Sequence, residues 1–227
     1  MKLIFVRHGH PDYENDCLTP LGHQHAAQAA LRLKDEGIEQ IFSSPYGRAF
    51  ETAQHLANLL CMDVEKLDFM HEIRWGSSDG NEIYADGHPW DTSLYAISQG
   101  FSLMDEEWTK HPPFCNNIVF SELERVARES DAWMESIGYR REGTNYRVIG
   151  ENTDRTIAVF SHGGSSSALF AHLLNLPFFY LCRAICPDFT AITVLTLSDE
   201  TGTLTAPTIE IANDSRHIRS GGVSYEM

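Results

Sequence analysis

Two short apolar segments of the chain end in a histidine followed by a glycine, and this repetition constrains the fold more than any other feature. Residues 2–6 lead directly towards His8, and residues 156–160 lead towards His162. Apolar runs of this length are typical of strands buried on both faces, as in a parallel sheet between helices. The carboxyl ends of such strands line the ligand crevice, so the two histidines are predicted to share one site.

Helix signals follow the strand-like segments and complete two β-turn-α units. Thr19 is a predicted N-cap with Pro20 in the first helical position, and alanines and leucines continue that helix. Residues 40–43 are predicted as a second strand, and a helix is predicted from Pro45 to about Cys61. The alternation of strands and helices is typical of an α/β fold.

The later periodic segments fit the same architecture. Residues 64–67 are predicted as a short strand, a capping box at Ser121 is predicted to open a helix, and another helix is predicted from about Ser165. Two strands within residues 191–211 are predicted to form a hairpin at the sheet edge. The whole pattern predicts a three-layer α/β/α sandwich with a largely parallel central sheet.

One domain over residues 1–227 is predicted from the chain length, with an insertion at about residues 77–118. Regular periodicity fades in the insertion, where aromatic side chains lie among Gly, Asp and Pro residues. This composition is too apolar for a disordered linker. The insertion is therefore predicted to pack as a cap; the alternative is a peripheral subdomain with its own small core.

The charge balance limits the classes of partner. Lys and Arg total 17 against 32 Asp and Glu, a formal net charge of −15, which disfavours nucleic acid and anionic membrane surfaces. No apolar run approaches the roughly 20 residues that span a bilayer. The N-terminus lacks the pattern of a secretory signal, so a cytoplasmic location is expected. The five scattered cysteines predict reduced thiols and no zinc site.

Four side chains from three predicted strand ends are expected to converge on one anion. Arg7 and His8 follow the first strand, and His162 follows the last of the three. Arg48 lies in the first turn of the helix predicted from Pro45, beside backbone N–H groups that favour negative charge. A single histidine or arginine is more often structural or solvated, but this combination predicts an anion site.

Four short motifs occur in a fixed order and, taken together, resemble the histidine phosphatase superfamily, the phosphoglycerate mutase-like proteins. The resemblance extends from residue 3 to about residue 217 and implies the fold of that family. The motifs are Arg7-His8-Gly9; Ser43-Ser44-Pro45 with Arg48; His71-Glu72-Ile73-Arg74-Trp75-Gly76; and Ser161-His162-Gly163-Gly164.

The resemblance implies a metal-independent phosphomonoesterase of the phosphatase branch that uses no cofactor. The neutral imidazole of His8 would attack phosphorus, and water would hydrolyse the resulting phosphohistidine. Arg7, Arg48 and a protonated His162 would bind the phosphate, because the loose transition state spreads negative charge over the oxygens. In the family, a backbone carbonyl accepts a hydrogen bond from the other ring nitrogen of the nucleophile and fixes its tautomer.

Glu72 matches the acidic residue that, in related members, protonates the leaving oxygen and then activates water. Asp12 and Asp79 are near in sequence and remain alternatives for this role. Glu72 could instead be a surface carboxylate paired with Arg74. The loop after the first histidine departs from the family pattern, and the candidate substrate contacts there and after the second histidine are His10, Tyr13, Asn15 and Gly163.

Hydrolysis of a small phosphorylated metabolite with a partly apolar leaving group is the predicted function. The alternative within the family is a phosphoglycerate mutase, but the insertion has one basic residue, Lys110, instead of a basic, proline-rich segment. Outside the family, the serines after the second histidine suggest an α/β-hydrolase-like esterase, although the G-x-S-x-G pattern is incomplete. A phosphate-binding module without catalysis is the remaining class, and the substrate, pathway and oligomeric state, a homodimer included, are left open.

A metal site is the last rival, suggested by His23 and His25. On a helix, residues two apart point to different faces, so these two imidazoles are not expected to share an ion.

Overall fold

The computed structural model describes residues 1–112 and 114–219 of the chain. Its strands are β1 (Lys2–Arg7), β2 (Pro11–Asp12), β3 (Cys17–Leu18), β4 (Ile38–Ser43), β5 (Val64–Lys66), β6 (Tyr139–Glu142), β7 (Asn145–Val148), β8 (Thr156–Ser161), β9 (Ile192–Thr196), β10 (Leu204–Thr205) and β11 (Thr208–Asp214). Its α-helices are α1 (Pro20–Leu33), α2 (Gly47–Leu60), α3 (Pro89–Ser98), α4 (Val119–Ser136), α5 (Gly163–Leu174), α6 (Phe178–Ala184) and α7 (Arg216–Arg219).

The central sheet has six strands in the order β11-β9-β1-β8-β4-β5. Strands β1, β8, β4 and β5 are parallel neighbours, whereas β9 runs antiparallel to both β1 and β11. The largely parallel sheet is therefore confirmed, as is the antiparallel pair at its edge. The chain between β9 and β11 also forms β10, which pairs with β7 in a separate three-stranded sheet that includes β6.

Helices cover both faces of the sheet, which confirms the three-layer sandwich. Along β1, Leu3 and Phe5 point into one core with side chains of α4 and α5, while Ile4 and Val6 point into a second core with side chains of α1 and α2. All four are almost completely buried. Each buried side chain of this size contributes roughly 1.5–3 kcal/mol, so β1 is anchored from both sides.

Two predicted helix starts are wrong, and side-chain capping explains one of the shifts directly. Helix α4 begins at Val119 because the Asn117 side chain accepts a hydrogen bond from the Val119 amide at 3.0 Å, and Ser121 lies inside the helix. Helix α2 begins at Gly47 and not at Pro45, with Tyr46 as an N-cap that makes no side-chain capping bond.

The predicted insertion contains α3 and shares the main core of the domain. Ala96, Leu103 and Trp108 belong to the same buried cluster as the α4 and α5 side chains, and the Trp108 ring lies 5.1 Å from the Phe179 ring of α6. The alternative of a separate small core is therefore wrong. Within the predicted domain, Pro113 and residues 220–227 lie outside the described residues.

None of the helices within residues 1–112 and 114–219 combines the length and the apolar character that crossing a membrane requires.

Candidate active site

The carboxyl ends of adjacent parallel strands bring the two predicted histidines together. Arg7 at the end of β1 is opposite Ser161 at the end of β8, and the His8 amide donates to the Ser161 carbonyl at 2.9 Å. The imidazole centroids of His8 and His162 are 5.2 Å apart. Strand β4 ends beside them, and the Ser44 amide donates to the carbonyl of Phe160 at 2.8 Å. The site thus lies where three strands end.

The ring of His8 is held in the form that a nucleophile requires. Its Nδ1 lies 2.7 Å from the carbonyl oxygen of Gly9, which can only accept, so Nδ1 carries the proton and Nε2 keeps its lone pair. The side chain is buried, and burial together with the neighbouring Arg7 guanidinium lowers the pKa of His8 to about 3. His8 is therefore neutral and nucleophilic at Nε2 over most of the pH range.

The second histidine is also neutral in this structure; the cationic form expected from the sequence is the one that binds phosphate. Burial, followed by electrostatic interaction with the ring of His8 and with the Arg48 guanidinium, lowers the pKa of His162 well below its usual value. Its Nε2 lies 2.7 Å from Ser44 Oγ, and that oxygen accepts the Tyr46 amide at 3.2 Å. A phosphate dianion beside His162 would oppose these effects and raise its pKa.

Both predicted arginines reach the site, and each guanidinium is held by one hydrogen bond from its Nη1 atom. Nη1 of Arg7 donates to the Pro187 carbonyl at 2.6 Å, and the guanidinium lies 4.4 Å from the centre of the Phe189 ring. Nη1 of Arg48 donates to the carboxylate of Asp16. The Nε atoms of both arginines, like Nδ1 of His162, are buried and have no hydrogen-bond partner among the described residues.

Buried polar atoms without partners are uncommon because each costs free energy. Here three such nitrogen atoms occur on Arg7, Arg48 and His162, and the two arginines act electrostatically on both imidazoles. Two of the three belong to permanent cations. This chemistry suits a compact anion with several acceptor oxygens.

The carboxyl group of Glu72 lies on the N-terminus of α5. Its Oε1 accepts the amides of Ser165 at 2.8 Å and Ile73 at 3.0 Å, and its Oε2 accepts the Gly164 amide at 3.3 Å. Glycine at position 164 permits this close approach, because a Cβ atom would lie 2.6 Å from Oε1. Burial raises the pKa of Glu72 above its usual value even though these three hydrogen bonds act in the opposite direction. A raised pKa suits a general acid.

The two alternative carboxyl groups have the opposite character. Hydrogen bonds from Asn15 lower the pKa of Asp12, and hydrogen bonds from Asn116 and Asn81 lower the pKa of Asp79. Neither residue lines the cleft described below, and a group held in its ionised form is a poor proton donor. The pairing of Glu72 with Arg74 is also absent within residues 1–112 and 114–219, where Arg74 donates to Glu122 at 2.8 Å.

Two cavities that share four lining residues form the lobes of one cleft, which reaches Arg7 and Arg48 but is not lined by His8 or His162. The first lobe has a volume of about 410 Å³ and the second of about 530 Å³. Tyr13, Glu72, Trp75 and His88 line both lobes. The first lobe is completed by Arg7, Gly163, Gly164, Trp90, Asp91, Leu94, Arg183, Cys186 and Pro187, and the second by Tyr46, Arg48, Ile73 and Arg74.

The candidate substrate contacts divide into two groups. Tyr13 lies at the cleft, with its ring centre 6.4 Å from that of His8, and Gly163 lines the first lobe. His10 and Asn15 line neither lobe. The imidazole of His10 is bonded to Thr19 Oγ1 at 3.0 Å, and the Asn15 amide group donates to Asp12 at 2.8 Å.

Sequence reasoning missed several residues that build the site. Asp16 holds Arg48, and Phe189 packs on Arg7, although nothing in the local sequence distinguishes either residue. Arg183 on α6 reaches the first lobe from a helix that periodicity did not reveal. These placements depend on tertiary contacts between segments that are distant in sequence.

The rival metal site is not assembled in the described part of the chain. His23 is exposed and its Nδ1 lies 3.1 Å from Nε2 of His55, whereas His25 is buried on another face of α1. No group of three or more His, Cys, Asp or Glu side chains within residues 1–112 and 114–219 is placed to hold a metal ion.

Comparison with known proteins gives matches of three kinds. A curated relative, the 2,3-bisphosphoglycerate-dependent phosphoglycerate mutase of Thermoplasma acidophilum, is 36% identical over 93 residues, covering 36% of this chain and 46% of the relative. The match thus spans less than half of that relative's length.

Two solved structures share the fold over nearly the whole chain. The phosphoserine phosphatase of Entamoeba histolytica in complex with 3-phosphoglyceric acid is 21% identical with a TM-score of 0.64, covering 96% of this chain and 98% of that chain. Mycobacterial glucosyl-3-phosphoglycerate phosphatase with inorganic phosphate is 23% identical with a TM-score of 0.64, covering 95% and 98%. The sequence model of the histidine phosphatase superfamily (branch 1) matches residues 3–209, and the chain therefore belongs to that superfamily.

Proposed function

We propose that this protein is a phosphomonoesterase that hydrolyses a small phosphorylated metabolite through a phosphohistidine on His8. The observation that carries the proposal is the pairing of a neutral, oriented imidazole with buried cationic nitrogen atoms that have no partner in the described chain. Nε2 of His8 would attack phosphorus, and Arg7, Arg48 and His162 would donate to the equatorial oxygens. No step of this chemistry needs a metal ion or cofactor.

Glu72 would act at both steps of the reaction. Its raised pKa supports protonation of the leaving oxygen in the first step. The carboxylate formed would then accept a proton from water as that water attacks the phosphohistidine. The amides of Gly164 and Ser165 stabilise this negative charge, and the proton returns to Glu72 at the end of the cycle.

The insertion over residues 77–118 is proposed to form the outer wall for the leaving group. His88, Trp90 and Leu94 belong to this segment and line the first lobe beside Glu72. The apolar surface of Trp90 and Leu94 supports a partly apolar leaving group. The solved relatives are named as phosphatases of phosphoserine and glucosyl-3-phosphoglycerate, which supports a small phosphorylated metabolite as the substrate class.

A phosphoglycerate mutase is the second candidate, and the curated mutase relative favours it. Lys110, the basic residue of the insertion, is exposed, pairs with Glu107 and does not line the cleft, which favours hydrolysis. Faster isomerisation of 3-phosphoglycerate than release of inorganic phosphate by the purified protein would identify the mutase. An esterase is not supported, because Ser165, Ser166 and Ser167 are buried.

The experiment that tests the phosphatase is rapid quenching with a radiolabelled phosphoester. Wild-type protein is expected to trap an acid-labile phosphoenzyme, and His8→Ala is expected to lose both the phosphoenzyme and turnover. His55→Ala is the matched control, because His55 lies on α2 outside the cleft and is bonded to His23. Retention of turnover or of the labelled intermediate by His8→Ala would refute the mechanism.

A further inference from the structure

A carboxylate outside the acid–base machinery contacts the proposed phosphate-binding arginine. Oδ1 of Asp16 accepts a hydrogen bond from Nη1 of Arg48, and Oδ2 accepts the Gly47 amide at 2.7 Å. Gly47 is the first residue of α2, the helix that carries Arg48. We infer that Asp16 is a positioning residue that holds Arg48 in the orientation needed to stabilise the transferring phosphoryl group; this rests on the proposed function.

Helix α2 does not fix its own start. Its N-cap residue, Tyr46, makes no side-chain capping bond, so the carboxylate of Asp16 supplies the cap from a different part of the chain. A carboxylate is favourable at this end of a helix because it faces the unpaired amides and the positive end of the helix dipole. One side chain therefore fixes both the beginning of the helix and the guanidinium that extends from its second residue.

The backbone on both sides of this contact is adapted to it. Asp16 closes the turn between β2 and β3 with a φ of +50°, a left-handed conformation that asparagine and aspartate tolerate better than most side chains. Gly47 must be glycine, because a Cβ atom there would lie 2.1 Å from the carbonyl oxygen of Asp16. The turn between β2 and β3 thus packs directly against the start of α2.

The charges predict which step the contact affects. The Arg48 side chain is 9% exposed and the Asp16 side chain is 41% exposed, so a nearly buried cation is paired with a carboxylate that reaches solvent. The negative charge of Asp16 repels phosphate. Removing this charge would strengthen phosphate binding in the ground state and so offset the effect of a less well oriented Arg48. In the transition state the donors must match fixed oxygen positions, so orientation matters more.

Asp16→Asn tests this inference without straining the left-handed backbone conformation at this position. Asparagine accepts the left-handed conformation, but the Gly47 amide and Arg48 donate to different oxygen atoms of Asp16, and in asparagine one of these atoms is an NH₂ group that cannot accept. With 4-nitrophenyl phosphate as substrate, we expect kcat/KM to fall about tenfold to a hundredfold. The inhibition constant of orthovanadate, which mimics the transition state, should rise by the same factor, while that of inorganic phosphate should change less than about threefold.

Two further variants separate orientation from charge and folding. Asp16→Glu keeps the charge but moves the carboxylate by one methylene group, and it is also expected to lower kcat/KM. Glu14→Gln removes one charge from the same turn, and its exposed side chain makes no hydrogen bond or ion pair within residues 1–112 and 114–219, so wild-type kinetics are expected. Thermal melting of each variant reports on folding.

The outcomes are distinct. If Asp16→Asn keeps the wild-type values of kcat/KM and of vanadate inhibition, the inference is overturned. Equal weakening of phosphate and vanadate binding would also overturn it, because that result would indicate a merely structural role. Wild-type kinetics in Asp16→Glu together with a loss in Glu14→Gln would assign the effect to charge and overturn it as well. A wild-type protein that forms no phosphoenzyme would instead refute the proposed function, and the inference with it.

Discussion

Replacing Glu72 by glutamine separates proton transfer from the structural role of this side chain. Glutamine can keep the two hydrogen bonds at Oε1, from Ser165 at 2.8 Å and Ile73 at 3.0 Å, but its NH₂ group would face the Gly164 amide. The lost bond is the longest of the three at 3.3 Å, and a neutral amide is easier to bury than a carboxylate. We expect Glu72→Gln to cost about 1 kcal/mol, and melting to fall by about 2–4 °C.

The loss of activity should depend on the leaving group. An alkyl phosphate needs a proton on its leaving oxygen, so kcat/KM of Glu72→Gln should fall by about 10²–10⁴. 4-Nitrophenyl phosphate expels a stable phenolate, and its kcat/KM should fall by less than about tenfold. The assay compares the two esters with the same enzyme preparations. Equal losses for both esters would refute the assignment of Glu72 as the general acid.

The pH dependence gives a second test of the same assignment. His8 must be neutral to attack, so kcat/KM should rise as the pH increases through the His8 pKa of about 3. Glu72 must be protonated to donate, so kcat/KM for an alkyl phosphate should fall as the pH increases through its raised pKa. The second decline should be missing in Glu72→Gln; its persistence at the same pH would assign it to another group.

Two other contacts predict measurable effects. Glu122→Ala removes a buried carboxylate that accepts hydrogen bonds from Arg74 at 2.8 Å and from Arg125 at 2.7 Å. We expect chemical denaturation to show a loss of about 2–3 kcal/mol in the free energy of unfolding. This loss is smaller than for a fully buried pair, because both arginines reach solvent. Arg183 lines the first lobe and makes no hydrogen bond or ion pair inside the described chain. Arg183→Ala should raise the KM for phosphoserine, which bears a carboxylate, by about threefold to tenfold. The KM for 4-nitrophenyl phosphate should stay unchanged. An unchanged denaturation midpoint would contradict the first expectation, and equal changes in both KM values the second.

The centre of the site was predictable because it follows from rules that act along the sequence. The apolar runs before His8 and His162 identify strands buried on both faces, and parallel neighbours place their carboxyl ends together. The register between β1 and β8, with Arg7 opposite Ser161, is the result of that rule. No further information about the rest of the chain was needed to bring the two imidazoles to one edge.

The sequence favoured Glu72 by its match to the family motif, but it could not exclude Asp12 and Asp79, because the physical difference among the three carboxyl groups is which of them is desolvated. In the fold, burial raises the pKa of Glu72, whereas amide donors in exposed turns lower the pKa of the two aspartates. Desolvation is created by tertiary packing, here by the close approach that Gly164 permits.

The same reasoning explains why Asp16 escaped prediction. Its partners Gly47 and Arg48 are more than thirty residues away in sequence, and the contact exists because the β2–β3 turn packs on the start of α2. The helix start predicted at Pro45 was wrong for a related reason. Local capping signals describe how a chain can begin a helix by itself, whereas α2 receives its cap from another segment.

The protonation of His162 connects the site to the acidic character of the whole protein. The formal net charge of −15 repels phosphate at long range, so capture depends on local cations. Arg7 and Arg48 provide permanent charge, but they also suppress protonation of the buried imidazoles. A phosphate dianion reverses this balance for His162 by adding two negative charges beside it. We therefore expect the site to reach its full positive charge, with His162 protonated, only when phosphate is bound. His8 remains the nucleophile, because the Gly9 carbonyl holds it as a neutral imidazole.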